Sequence, residues 1–129
     1  MPAMRREPTA RTKRLTLLLL ATSLVLPAGA AADRAPTKAE RAGIAEAADV
    51  PSRCLKIRVS TVNASYSSAY RRNLRRGCKP YQADGVAVFK RRKAGGWAFV
   101  TAGSAFECPV PHVPRKVARD LDIECYDND

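Results

Sequence analysis

The chain of 129 residues has one histidine, one tryptophan and no cysteines spaced as C-x-x-C, and its acidic residues number 12 against 23 lysines and arginines. Each scarcity removes a class of function. Nucleophilic catalysis needs a nucleophile, a base and a group that orients the base, and His112, set among Pro111, Val113 and Pro114, is the only imidazole available. Zinc sites usually show close-spaced ligand pairs, whereas Cys54, Cys78, Cys108 and Cys125 stand 24, 30 and 17 residues apart. Ala102-Gly103-Ser104-Ala105 lacks the second glycine of a G-x-S-x-G elbow, so Ser104 reads as a strand terminator. Carboxylates for glycoside hydrolysis are limited mainly to Glu107, Asp120, Asp122 and Glu124, and three of these sit beside Arg115, Lys116 and Arg119 as a solvated charged end. No cofactor and no metal are expected, and the length allows one domain.

The N-terminus reads as an export signal over residues 1–30. Arg5, Arg6, Arg11, Lys13 and Arg14 precede an apolar stretch from Leu15 to Leu26, followed by Pro27 and the small-residue run Ala28 to Ala32. That stretch is shorter than the roughly 20 residues a membrane span needs, so no transmembrane anchor is expected. Glu7-Pro8 directly after the arginine pair favours the general secretory route over twin-arginine export. No cysteine follows the apolar run, which excludes a lipid anchor there. The expected product is a secreted or extracytoplasmic monomer in which residues 31–36 form a flexible lead-in and 37–129 a single domain. With the signal removed, 18 basic and 11 acidic groups remain, a net charge of +7, and residues 53–93 alone carry +11.

Four cysteines in a small exported chain point to two disulfides. Cys54 with Cys78 and Cys108 with Cys125 is the pairing that encloses two compact local units. Thr37 and Glu40 form a T-x-x-E capping box that opens a small-residue helix, and Asp49-Val50-Pro51 closes it. From Leu55 the period becomes two, with Leu55, Ile57 and Val59 on one face and Lys56 and Arg58 on the other, as in a half-buried strand. A weaker strand follows from Tyr66 to Arg72, then a loop to Asp84. Runs 86–92 and 97–102, joined through Gly95-Gly96, predict a hairpin. Pro114 suits the first turn of a short helix with Val113, Val117 and Leu121 along one side. Helix, strands, helix without β-α-β alternation predicts an α+β fold. The N-terminal helix packs on one face of an antiparallel meander of three to four strands, with a short C-terminal helix, in a cystatin-like arrangement.

The basic groups are the feature with physical leverage. Arg71, Arg72, Arg75, Arg76 and Lys79 precede the hairpin, and Lys90, Arg91, Arg92 and Lys93 sit at its turn. Joined into one patch they would attract an anionic cell-wall polymer or a membrane surface, or seat a protein partner; nucleic acid is not an expected partner in vivo. Scattered, they are a solubilising surface. Tyr66, Tyr70 and Tyr81 are either stacking platforms beside this charge or core residues. The competing class is a small hydrolase using His112 or Glu107.

Arg58-Val59-Ser60-Thr61-Val62, Ala83 to Val88, Gly96-Trp97 to Gly103-Ser104, Cys108-Pro109-Val110-Pro111, Val113-Pro114-Arg115 and Asp120-Leu121 carry a resemblance over roughly 70 residues. In these segments the chain resembles small secreted proteins of actinobacteria. The resemblance implies an exported, disulfide-bonded α+β module and brings no catalytic residues with it.

Overall fold

The computed structural model describes residues 33–71 and 75–128. The segment read as an export signal, and Arg72 among the basic residues, lie outside the described residues.

Thr37 accepts the Glu40 N–H at 3.2 Å while Glu40 accepts the Thr37 N–H at 2.9 Å, which closes the capping box and starts α1, Lys38–Ala48. Asp49 ends it in the left-handed region. Four strands follow, β1 (Leu55–Val59), β2 (Tyr66–Arg71), β3 (Val86–Arg91) and β4 (Trp97–Gly103), and then α2, Arg115–Asp120. Each strand pairs antiparallel with the next in the order β1-β2-β3-β4, so the fold is α+β around a four-stranded meander. The β3–β4 turn is closed by Arg92 and Gly96, and Gly95 and Gly96 take the positive φ values of 97° and 78° that this turn demands. The cysteines pair Cys54–Cys78 and Cys108–Cys125.

The sheet is covered on both faces, which corrects the expectation of a core on one. Successive strand residues point to opposite faces, and both faces carry buried apolar side chains. Leu55, Ile57, Ala69 and Phe89 pack with Ile44, Ala45, Val50 and Trp97 beneath α1. Tyr66, Val86 and Val88 pack with Val117, Ala118, Leu121, Ile123 and the loop residues Phe106, Val110 and Val113 on the other side. The Cys108–Cys125 bridge and the pairing of Glu107 with Tyr126 staple this second layer to the chain leaving β4. Asp120, at the end of α2, ties the second layer to the β1–β2 turn.

α1 approaches β4 through Gly43, where a Cβ atom would stand 2.8 Å from Trp97 Cδ1. Gly43→Ala gains helix propensity of up to about 1 kcal/mol but must displace a buried indole, an overpacking cost of about 1–3 kcal/mol. A net loss of about 1 kcal/mol is expected in chemical denaturation, together with a shifted emission of the single tryptophan.

Residues 33–36 are not a free lead-in. Arg34 exchanges two backbone hydrogen bonds with Val59, at 2.9 and 2.8 Å, and extends the sheet beyond β1 by one pair. Asp33 holds the Arg58 guanidinium through Oδ1 at 2.7 Å and through its carbonyl at 2.8 Å. These are contacts over 25 residues of sequence, which local pattern does not announce.

Candidate functional site

Among the described residues, the two basic groups singled out from the sequence do not meet. Tyr66 pairs with Lys90 and Ala69 with Ala87, so Arg71 lies at one end of the sheet and Lys90 to Lys93 at the other, roughly 16 Å apart along five strand residues. Their members also differ in what they do. Lys90 sits 5.3 Å from the Tyr66 ring centre. Arg91 lies 5.1 Å from the Trp97 ring and donates to Glu40 at 3.0 Å, so it serves the fold. Arg92 and Lys93 are exposed at the turn, and Arg76 and Lys79 are exposed in the loop that the Cys54–Cys78 bridge holds. Arg71 reaches to 3.5 Å from the Ala48 carbonyl. The tyrosines belong to the core layers: Tyr66 is buried with Val88, Tyr70 packs against that same layer, and Tyr81 packs beneath α1.

One basic residue of the first group joins a set that the sequence had dispersed. Arg75 lines a cleft of about 490 Å³ beside β1 together with Arg41 from α1, Arg53 before Cys54, and Lys56 and Arg58 from the strand itself. The other lining residues are Ala35, Pro36, Ser52, Cys54, Leu55 and Ile57, so the cleft wall carries five cations and no carboxylate. Asp33, just outside it, engages Arg58 and leaves four cations without a carboxylate partner among the described residues.

The local chemistry explains the assembly. Alternation along β1 sends Lys56 and Arg58 away from the α1 layer. The Cys54–Cys78 bridge, with Cα atoms 5.3 Å apart, brings the 75–78 turn against the start of β1, where the Arg53 guanidinium lies close to Gly77. The Cys78 N–H bonds the Arg75 carbonyl at 3.1 Å and shapes that turn. Clustered like charges in a concave surface raise the local potential and draw anions in a salt-dependent way. The missed signal was available: the charged face of β1 and the expected bridge together place Arg53, Lys56 and Arg75 side by side.

Glu40 lies outside this cleft, lining another with Arg34, Arg91 and Trp97, and ties the entry of α1 to the sheet. It is 6 % exposed, and its carboxylate accepts both Arg34 Nη atoms at 2.7 and 3.0 Å, Arg91 Nη2 at 3.0 Å and the Thr37 N–H at 2.9 Å. The Arg34 hydrogen bonds, helped by Thr37 and opposed by burial, hold its pKa down from 4.5 to about 2. A carboxylate with a depressed folded pKa stabilises the fold above its unfolded pKa and loses that contribution as pH falls. Because Arg34 and Arg91 are partly solvated, the expected contribution is about 2 kcal/mol rather than the full linkage value. Glu40→Gln is therefore expected to be about 2 kcal/mol less stable at pH 7, and the wild-type advantage should vanish between pH 4.5 and 2. Denaturation midpoints of the two proteins measured across pH check this.

The residues of the hydrolase alternative lie outside the cleft beside β1. His112 is exposed in a turn at φ 59°, Glu107 is exposed and accepts from Asn128 at 2.7 Å, and neither lines the cleft beside β1. Among the described residues no cluster of His, Cys, Asp and Glu is disposed to hold a metal ion, and no helix is long and apolar enough to cross a membrane. Comparison with protein-family models, curated proteins and solved structures finds no match to the chain.

Proposed function

We propose that the protein is an exported, non-enzymatic binding domain that takes an anionic partner in the basic cleft along β1. The observation that carries this is the convergence of Arg41, Arg53, Lys56, Arg58 and Arg75 on one cleft without a carboxylate in its wall. Export is supported by the signal-like N-terminus together with two cystines in a small domain. The likeness to a cystatin arrangement is kept for the half of the molecule in which α1 lies on the meander.

The reading is tested with a teichoic-type wall polymer, anionic vesicles and DNA titrated across a salt series. Binding to at least one, weakening as salt rises, is expected. Arg53→Glu with Lys56→Glu should lower affinity by at least about tenfold, since like charge at a contact surface costs several kcal/mol. Arg92→Glu with Lys93→Glu, at the far end of the sheet, should leave it nearly unchanged. Absence of salt-sensitive binding to all three polyanions, or equal loss in both double variants, would overturn the proposal.

A further inference from the structure

The cleft runs beside a sheet edge that is only partly used. Both outward groups of Val59 are taken by Arg34. In an antiparallel ladder the outward-facing residues alternate, so the N–H and C=O of Ile57 and the C=O of Leu55 point the same way. The Leu55 N–H turns back to the Ser52 carbonyl. Among the described residues, no hydrogen bond takes up the outward N–H and C=O of Ile57.

The chain's own continuation does not fill this place. Counting from the Arg34–Val59 pair, residue 36 would stand opposite Ile57, and it is Pro36, which has no N–H to donate. Thr37 then caps α1 and carries the chain away from the edge. Leu55 and Ile57 are 6 % and 3 % exposed, yet both line the cleft; an edge with unpaired backbone groups normally accepts another strand, and the groups around this one decide which. A second copy of β1 would bring Lys56 and Arg58 against their own kind, and like charges across a strand pair are destabilising. A strand with acidic side chains would instead meet Arg41, Arg53, Lys56 and Arg75.

We propose that the edge of β1 at Leu55–Ile57 is a docking site for an extended acidic peptide segment, which adds to the sheet as a short strand and sets its carboxylates among these cations. This rests on the anion-binding reading and deepens it: the cations supply attraction, and the backbone of Leu55 and Ile57 supplies register. A polysaccharide, a lipid headgroup or a nucleic acid satisfies only the first requirement.

The test uses the oxidised protein and three probes. They are an acetylated, amidated heptapeptide alternating glutamate and valine, the same peptide N-methylated at every interior residue, and dextran sulfate. Strand addition predicts that the unmodified peptide binds at least about tenfold more tightly than the methylated one, as expected for the loss of two or three backbone hydrogen bonds. It also predicts that saturating peptide slows hydrogen exchange at the Ile57 amide, whereas dextran sulfate does not. Equal affinity for the two peptides, or an unprotected Ile57 amide, overturns strand addition while leaving anion binding in place. Binding of dextran sulfate with no peptide binding does the same. No binding of any probe overturns both.

Discussion

Replacing Asp120 by alanine is expected to cost the domain about 3 kcal/mol, because its carboxylate gathers several donors that nothing else replaces. Asp120 closes α2 and is buried, yet it accepts the Ser60 hydroxyl at 2.7 Å, the Thr61 N–H at 2.7 Å, the Thr61 hydroxyl at 3.1 Å and the Val62 N–H at 3.3 Å. Ser60 is itself fully buried, so its hydroxyl has no access to water when the acceptor goes. Burial alone would raise the pKa of Asp120, but the hydrogen bonds from Ser60, Thr61 and Val62 outweigh it and the pKa is lowered. The sign follows directly: the contribution is present above the ordinary carboxylate pKa and is lost as pH falls below it. Asp120→Asn retains the shape but replaces one acceptor oxygen with a donor, so it should recover less than half of the loss. Denaturation midpoints at pH 7 and pH 3 measure both effects, and the wild-type advantage over the alanine variant should shrink at the lower pH. A loss below about 1 kcal/mol at pH 7, with unchanged exchange at the Thr61 and Val62 amides, would show that this carboxylate does not tie α2 to the β1–β2 turn.

Asp120 also illustrates what local pattern conceals. In the sequence it belongs to an acidic group beside Arg115, Lys116 and Arg119 that reads as a solvated end, because its donors lie about sixty residues away. The features legible in advance are those whose physics is contained in a few neighbouring residues. Thr37 and Glu40 specify their capping box by spacing, Gly95 and Gly96 specify a turn, and Pro114 specifies the entry to α2. β2 was faint for the opposite reason. Tyr66-Ser67-Ser68-Ala69 is buried on both faces in the middle of the molecule, so the apolar–polar alternation of a half-buried strand does not arise there. The placement of the basic residues was left open along the same line. Contiguous basic runs drew attention to the residues after β2 and to Lys90–Lys93, but the antiparallel register sets Arg71 and Lys90 toward opposite ends of the sheet. The cleft is instead assembled from single residues of α1, β1 and a loop, brought together by a disulfide and by Arg34 pairing with Val59.

That assembly makes the two disulfides separable by experiment. Cys54 and Cys78 are 24 residues apart and Cys108 and Cys125 are 17 apart, so chain entropy assigns each bridge about 3 kcal/mol of stability, a large share of what a small domain possesses. Replacing either pair by alanine should therefore lower the denaturation midpoint by a similar amount. Their effects on binding should differ. The first bridge holds the turn carrying Arg75 against Arg53 and the start of β1, and both its sulfurs are buried in the α1 layer. Without it the 75–78 turn is released, the cleft loses one wall, and affinity for an anionic partner should fall by about tenfold, the effect of dispersing one or two cations from a focused site. The second bridge staples the chain after β4 to the C-terminal segment, away from the cleft, and its removal should leave affinity within about twofold at a temperature where the variant is folded. Titration of wild type and both double-alanine variants with one polyanion, under conditions where circular dichroism shows all three folded, decides the matter. Retained affinity in the Cys54→Ala, Cys78→Ala protein would mean that β1, with Lys56 and Arg58, binds without the turn, whereas equal loss in both variants would mean that binding follows global stability and not the geometry of this cleft.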